Sequence, residues 1–215
     1  MAEKRTTNRP RPNLGEIAYL EIKEMILTGE LEQGQRIVLD DLSQKLNLSV
    51  TPIRDALHKL GQEDLVTIRP RTSHTVVHID KKDADDILDL RLMLEVYALQ
   101  GAGERLADFP VEKYRKLFAK PAVSQKNKDF VRVDRQFHND ILALSPNQRL
   151  PRLYGYLQNL IQVISVRALK VQGRISAANQ EHLALLNAIE KQDVSAAIDE
   201  LNRHFNEMRS ALFQA

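Results

Sequence analysis

Three histidines and an aspartate pose the first chemical question. In FVRVDRQFHNDI, His138 follows Asp134 by one helical turn, so both fall on the face that carries Phe130, Phe137 and Ile141. In NQEHLALLNAI, His182 lies on the stripe completed by Leu185, Leu186 and Ile189, and His204 shares a face with Leu201, Met208 and Ala211. Each of these inward polar groups needs a partner, because leaving one buried and unpaired costs about 1–3 kcal/mol or more. Imidazoles with a carboxylate suit Zn²⁺, Ni²⁺ or Mn²⁺ and would leave coordination positions for water or a small ligand. Taken singly, each histidine reads first as a hydrogen-bonded core residue; taken together, the four could also serve a metallohydrolase. Periodicity alone does not show that their helices converge.

The elements that must position these residues form the longer part of the chain. From Asp80 onward no strand pattern occurs, and six amphipathic helices are predicted, at about 81–107, 110–119, 124–145, 147–169, 174–192 and 194–213. Phe109-Pro110, Lys120-Pro121, Ser145-Pro146-Asn147, Gly173 and Gln192-Asp193 separate them. Asp80 with Asp83 three residues on resembles a helix cap, which puts a boundary near 78–82. Arg91 shares a stripe with Ile87, Leu94 and Ala98, so its charge turns toward the same interior, with Glu95 one turn on as the ordinary partner.

The amino-terminal part is built differently. Residues 1–12, with two prolines and four basic residues, read as a disordered basic arm. A helix runs from Leu14 to about Gly29, a second spans about 40–46, and a third begins at Thr51 or Pro52 and ends near 62. LVTIRPRTSHTVVHI then supplies two β-branched runs around a basic turn, the pattern of a small hairpin. Three short helices followed by a hairpin predict a winged helix-turn-helix over 13–79, ahead of an all-α bundle over 80–215; the fold class is mainly α. On the third helix Pro52 fits the first turn, and the Ser49 or Thr51 hydroxyl can cap the exposed amides, where a phosphate also fits. Arg54, one turn in, can reach a guanine edge or a phosphate, or form a surface pair with Asp55 or Asp64; His58 and Lys59 lie toward the backbone. Arg69, Arg71, Thr72, Ser73 and His74 sit at the wing tip, which in winged proteins meets the minor groove or the phosphates.

Composition narrows the classes. With 31 basic and 29 acidic residues the net charge of +2 does not by itself announce a nucleic-acid binder, and the charge must be judged locally. The absence of cysteine excludes disulfides, thiolate metal sites and cysteine nucleophiles. No apolar run approaches the roughly 18 residues of a membrane span, so the chain is expected to be cytoplasmic with no membrane partner.

The stretch LTGELEQGQRIVLDDLSQKLNLSVTPIRDALHKLGQEDLVTIRPR resembles the DNA-binding domain of the GntR family of bacterial transcription factors. The features that carry the resemblance are Gly29, Leu31 and Gly34 in the turn, Ser49, Thr51, Pro52, Arg54, Ala56 and Leu57 in the core motif, and Arg69-Pro70. Val50 stands where the family usually has arginine, Asp40 or Asp41 stands where some members carry a base-reading arginine, and Ser73-His74 replaces the usual glycine tip. The remainder is similar to the FadR C-terminal (FCD) domain through Leu90-Arg91, Leu94-Glu95, Asp134 with His138, the run from Glu181 to Asp193, and His204; six helices match the shorter, VanR-like subgroup. The resemblance implies that Asp134, His138, His182 and His204 hold a divalent cation. It further implies that Arg91, and less directly Arg167 and Arg174, hold a small organic acid. The implied protein is a homodimeric, ligand-responsive regulator, a repressor in most such families, on a near-palindromic double-stranded operator. No separate general base is found to activate a metal-bound water, so an enzyme is not expected. A regulator whose signal is the metal itself, or a metal-dependent enzyme with an appended head, are the alternatives.

Overall fold

The computed structural model describes residues 13–69, 73–121 and 127–212. The basic arm over 1–12 and the wing residues Arg71 and Thr72 lie outside the described residues.

The head opens with α1 (Leu14–Leu27), whose start is capped by the Asn13 side chain accepting from Gly15 N at 3.1 Å. Ala18, Ile22, Met25 and Ile26 form its buried stripe. Gly29, at φ 76°, reverses the chain at a left-handed position that suits glycine. A two-residue strand, β1 (Arg36–Ile37), leads into α2 (Leu39–Leu46), and α3 (Val50–Gln62) follows. Ile53, Ala56, Leu57 and Leu60 of α3 are completely buried, largely against α1. Each such leucine or isoleucine contributes roughly 1.5–3 kcal/mol through burial. The hairpin β2 (Val66–Arg69) and β3 (Ser73–Val76) forms as predicted, but β1 joins it, giving a three-stranded antiparallel sheet in the order β1-β3-β2. Two residues are too few to show alternation, so this strand is invisible to periodicity.

The bundle begins at α4 (Lys81–Gln100), where the Asp80 side chain accepts from Asp83 N at 2.9 Å. The helix predicted to reach 107 ends instead at Gly101, and Gly103 takes a positive φ before a 3-10 turn over Gly103–Asp108. The apolar stripe continues through Ala102 and Leu106, which is why periodicity ran past the break. There follow α5 (Val111–Phe118), α6 (Asn127–Ala143), α7 (Leu150–Ala168), α8 (Arg174–Glu190) and α9 (Val194–Leu212).

Head and bundle share one continuous hydrophobic core, and Ile79 at their junction is buried in it. Much of the contact is made by α7 against α1 and the end of α3, with an added ion pair from Lys128 on α6 to Glu24 on α1. Asn159 Nδ2 donates to Glu63 Oε2 at 2.8 Å, Gln162 Nε2 to the Leu27 carbonyl at 3.3 Å, and Arg167 Nη1 to the Ile79 carbonyl at 3.3 Å. Glu63 also accepts from Tyr19 at 2.5 Å and Lys23 at 2.6 Å, so one carboxylate ties α1, α3 and α7 together.

Candidate metal centre and DNA-facing surface

The four inward polar residues do converge. Asp134 and His138 on α6, His182 on α8 and His204 on α9 are all buried, and one potential ligand atom from each lies within 4.8 Å of the others. Two ligands of one zinc-like ion, each about 2.0–2.2 Å from it, can be at most about 4.4 Å apart, so closing on a cation draws the widest pair together by at least a few tenths of an ångström. Asp134 Oδ1 is the focus, 3.3 Å from His182 Nε2 and 3.6 Å from His138 Nε2.

Two glutamates decide which ring atoms face that focus. His138 Nδ1 lies 2.6 Å from Glu95 Oε2, and His204 Nδ1 lies 2.6 Å from Glu181 Oε2. An ionised carboxylate only accepts, so each Nδ1 carries the proton and donates it, leaving the Nε2 lone pair of both rings free for the interior. His138 Nε2 and both ring nitrogens of His182 have no hydrogen-bond partner although fully buried. Buried polar atoms without partners are uncommon, and here the two Nε2 atoms both lie near Asp134 Oδ1. Residues of this kind, with orphaned nitrogens around a carboxylate oxygen, fit a divalent cation.

The electrostatics agree with that chemistry at three of the four residues, Asp134, His182 and His204. Burial alone would push the Asp134 carboxyl up, but His138, His182 and Arg91 beside it hold it far below the usual carboxylate range. Burial and the neighbouring His204 push His182 well down, and burial also lowers His204 despite its bond to Glu181. Both rings are therefore neutral near pH 7, the form that ligates. His138 is the exception: burial and Arg91 act against its charge, but Glu95 and Asp134 outweigh them and raise it. The ring of His182 packs against Phe118, with centroids 4.5 Å apart, and against Phe137 at 4.9 Å, so the centre is walled by aromatic carbon on that side.

The three arginines expected at this site divide. Arg91 is 1% exposed and takes its ordinary partner, Nε donating to Glu95 Oε1 at 2.9 Å; its guanidinium lies 5.0 Å from the Phe205 ring centroid and Nη1 has no partner. Arg174 is buried and grips Glu181 through two bonds of 2.7 and 2.9 Å. It lines a small cavity of about 20 Å³ with Asp134, Ser165 and His204. Arg167 stands apart: it lies at the junction with the head, on the Ile79 carbonyl, away from the histidines. Glu95 and Glu181 were legible only as helical neighbours, of Arg91 and of His182; that they orient histidines on other helices carries no sequence signal.

The residues beside Asp134 and His138 on α6 face α7. Arg135, next to Asp134, donates to Gln158 Oε1 at 2.7 Å and Gln162 Oε1 at 3.2 Å, while Asn139, next to His138, accepts from Gln158 Nε2 at 3.1 Å. Gln162 is the residue that also reaches the Leu27 carbonyl of the head.

On the head, Ser49 occupies the N-cap of α3 but its side chain makes no capping bond, so of the two hydroxyls expected to cap, Ser49 or Thr51, that of Ser49 is not used. Thr51, Arg54 and His58 are exposed. Lys59 is turned back onto α1, 3.0 Å from Glu16, so it is partly neutralised there. The ring of His58 meets that of His74 edge-on, with centroids 6.5 Å apart, joining the helix to the hairpin. Arg69 pairs across the sheet with Ser73.

Residues 14–76 match the family described as bacterial regulatory proteins, gntR family, and residues 86–207 match the FCD domain. The HTH-type transcriptional regulator YdhC of Bacillus subtilis (strain 168) is 24% identical over 192 residues, covering 87% of this chain and 86% of that protein. The gluconate operon transcriptional repressor of Bacillus licheniformis is 23% identical over 209 residues, covering 93% and 85%. Among solved structures, Escherichia coli McbR/YncC has the same fold, with a TM-score of 0.67 over 95% of this chain and 99% of that one at 21% identity.

Proposed function

Since the chain belongs to the GntR family of bacterial transcriptional regulators, with an FCD domain behind its helix-turn-helix head, we propose that it is a homodimeric repressor whose bundle holds a divalent cation and answers to a small carboxylate. Its domains and relatives are those of regulators rather than enzymes. The observation that carries the metal reading is the set of buried ring nitrogens without partners around Asp134, with two of the rings held in one tautomer by Glu95 and Glu181. Asp134, His138, His182 and His204 would hold the ion, of the Zn²⁺, Ni²⁺ or Mn²⁺ class. When bound, such an ion offers open positions to the oxygens of a small acid. Arg91 Nη1, without a partner beside the same cluster, supports a carboxylate there, and Arg174 lines the adjoining cavity.

That cavity, about 20 Å³, accommodates little more than one water. A multi-carbon acid therefore enters only if side chains lining it, such as Phe130 on α6, Met208 on α9 and Leu169 just past α7, move. An acid that binds only the moved arrangement would have the differential affinity a ligand needs to shift a protein between two states. The same volume favours a second reading, in which the cation alone is the signal.

Leu90, Met93 and Tyr97 on α4 and Leu153 and Tyr156 on α7 are exposed apolar side chains on two packed helices. They support a two-fold dimer through this face and hence a near-palindromic operator in the cytoplasm. Among the described residues no helix is long and apolar enough to cross a membrane.

Metal analysis of the purified protein and of Asp134→Ala and His204→Ala is the direct test. The wild type is expected to carry a cation that both variants lose; full occupancy in both variants would end the metal reading. A gel shift of the protein's own upstream DNA at low salt tests the head. Repeating it with free zinc and no organic acid separates the two signals, because only a metal sensor follows zinc alone.

A further inference from the structure

The short strand missed by periodicity brings a cation to the DNA-facing side of the head. In β1 the Ile37 side chain is buried and Arg36 is exposed, and the strand pairs with β3 through Arg36 opposite Thr75 and Ile37 opposite His74. From there the chain passes directly into α2. A groove of about 640 Å³ lies between this segment, the first half of α3 and the hairpin. Its polar lining includes Arg36, Arg54, His58, Arg69 and His74, against the single carboxylate Asp40.

The other cations of the head are treated differently. Lys23 is paired with Glu63, Lys45 with Glu30 and Lys59 with Glu16. Arg36 and Arg54 have no ion-pair partner among the described residues, so the positive charge the head leaves uncompensated is concentrated on the walls of this groove. His74 reports the same field: burial lowers it, and His58 and Arg54 lower it further.

We infer that Arg36 is a DNA-backbone contact, gripping a phosphate of the operator strand that lies along this groove, opposite the face from which Arg54 approaches. The inference rests on the head being a DNA-binding domain and adds a residue from a strand rather than from the recognition helix. A phosphate is the class of ligand that exposed, unpaired guanidiniums on two walls of a groove suit, because the charge is satisfied without a fixed base sequence. Contacts of that kind set register and affinity, and each one released shows in the salt dependence.

The test uses the full chain and two duplexes, one selected by the wild type from a random pool and one of unrelated sequence, titrated over a series of salt concentrations. Arg36→Ala is expected to weaken binding to both duplexes by a similar factor and to reduce the log–log salt slope by about 0.9. Arg36→Lys, which keeps the charge, is expected to retain the slope. Arg36→Ala with unchanged affinity and slope, while Arg54→Ala binds more weakly, overturns the inference. So does a loss confined to the selected duplex and not rescued by lysine, which would make Arg36 a base reader. Failure of the wild type to bind either duplex overturns the reading of the head itself.

Discussion

Replacing Glu95 by glutamine probes the centre through a residue that would not touch the metal. Glu95 is completely buried and serves two partners at once, Arg91 at 2.9 Å and His138 Nδ1 at 2.6 Å. Burial would raise its carboxyl, but His138 and Arg91 outweigh that and hold it ionised. Glutamine keeps the volume and one acceptor, yet removes the charge facing the buried Arg91 guanidinium. Leaving one member of a buried pair uncompensated costs about 3–5 kcal/mol. Asp134 also acts on Arg91, and the retained amide oxygen keeps one hydrogen bond, so the lower end, about 3 kcal/mol, is expected in urea denaturation of the metal-free protein. Metal affinity should fall as well, because the carboxylate that fixes the His138 tautomer is gone; such outer partners are worth about 10–100-fold, or roughly 1.4–2.7 kcal/mol. Chelator competition with zinc measures this at denaturant concentrations where both proteins are folded. Adding Arg91→Met to Glu95→Gln removes the stranded charge and should restore much of the stability while metal affinity stays low. Wild-type stability and zinc affinity in the single variant would refute the assignment of Glu95 as the orienting group.

Two further outcomes follow from the junction of head and bundle. Burial would raise the Glu63 carboxyl, but hydrogen bonds from Lys23, Tyr19 and Asn159 hold it below its ordinary value near 4.5. A depressed folded value means that this contribution is complete above the ordinary value and fades as pH falls below it. Unfolding free energies of wild type and Glu63→Ala, separated by about 2 kcal/mol at neutral pH for the lost charge-assisted bonds, should converge in acid; a constant gap would count against it. Gly29→Ala imposes a left-handed conformation on a side chain and puts a Cβ 3.2 Å from Val166 Cγ1 on α7. It should destabilise by about 1–3 kcal/mol in thermal or urea unfolding, and an unchanged midpoint would mean that the turn can relax.

Parts of this molecule announce themselves in sequence and parts do not. Asp134 and His138 are four apart, so their shared face was legible, and His182 and His204 each sit on an unambiguous apolar stripe. Their convergence from three helices depends on crossing geometry, which one-dimensional spacing does not contain. The family resemblance supplied it. Arg167 shows the limit from the other side: α7 is apolar toward both the bundle and the head, so a cation on it could face either neighbour. Arg36 was hidden because its strand is only two residues long and exists only through pairing with β3.

The ladder between α6 and α7 gives the bundle a mechanical character. Arg135 and Asn139 are the chain neighbours of Asp134 and His138, and adjacent residues on a helix are set about 100° apart around its axis. Any turn of α6 that draws its two candidate ligands inward must therefore swing the ladder residues by the same angle. That motion loads Gln158 and Gln162, and Gln162 is also held by the last carbonyl of α1. α6 is a crankshaft, its journals the pair of polar residues in the core and its throws the pair that grips α7.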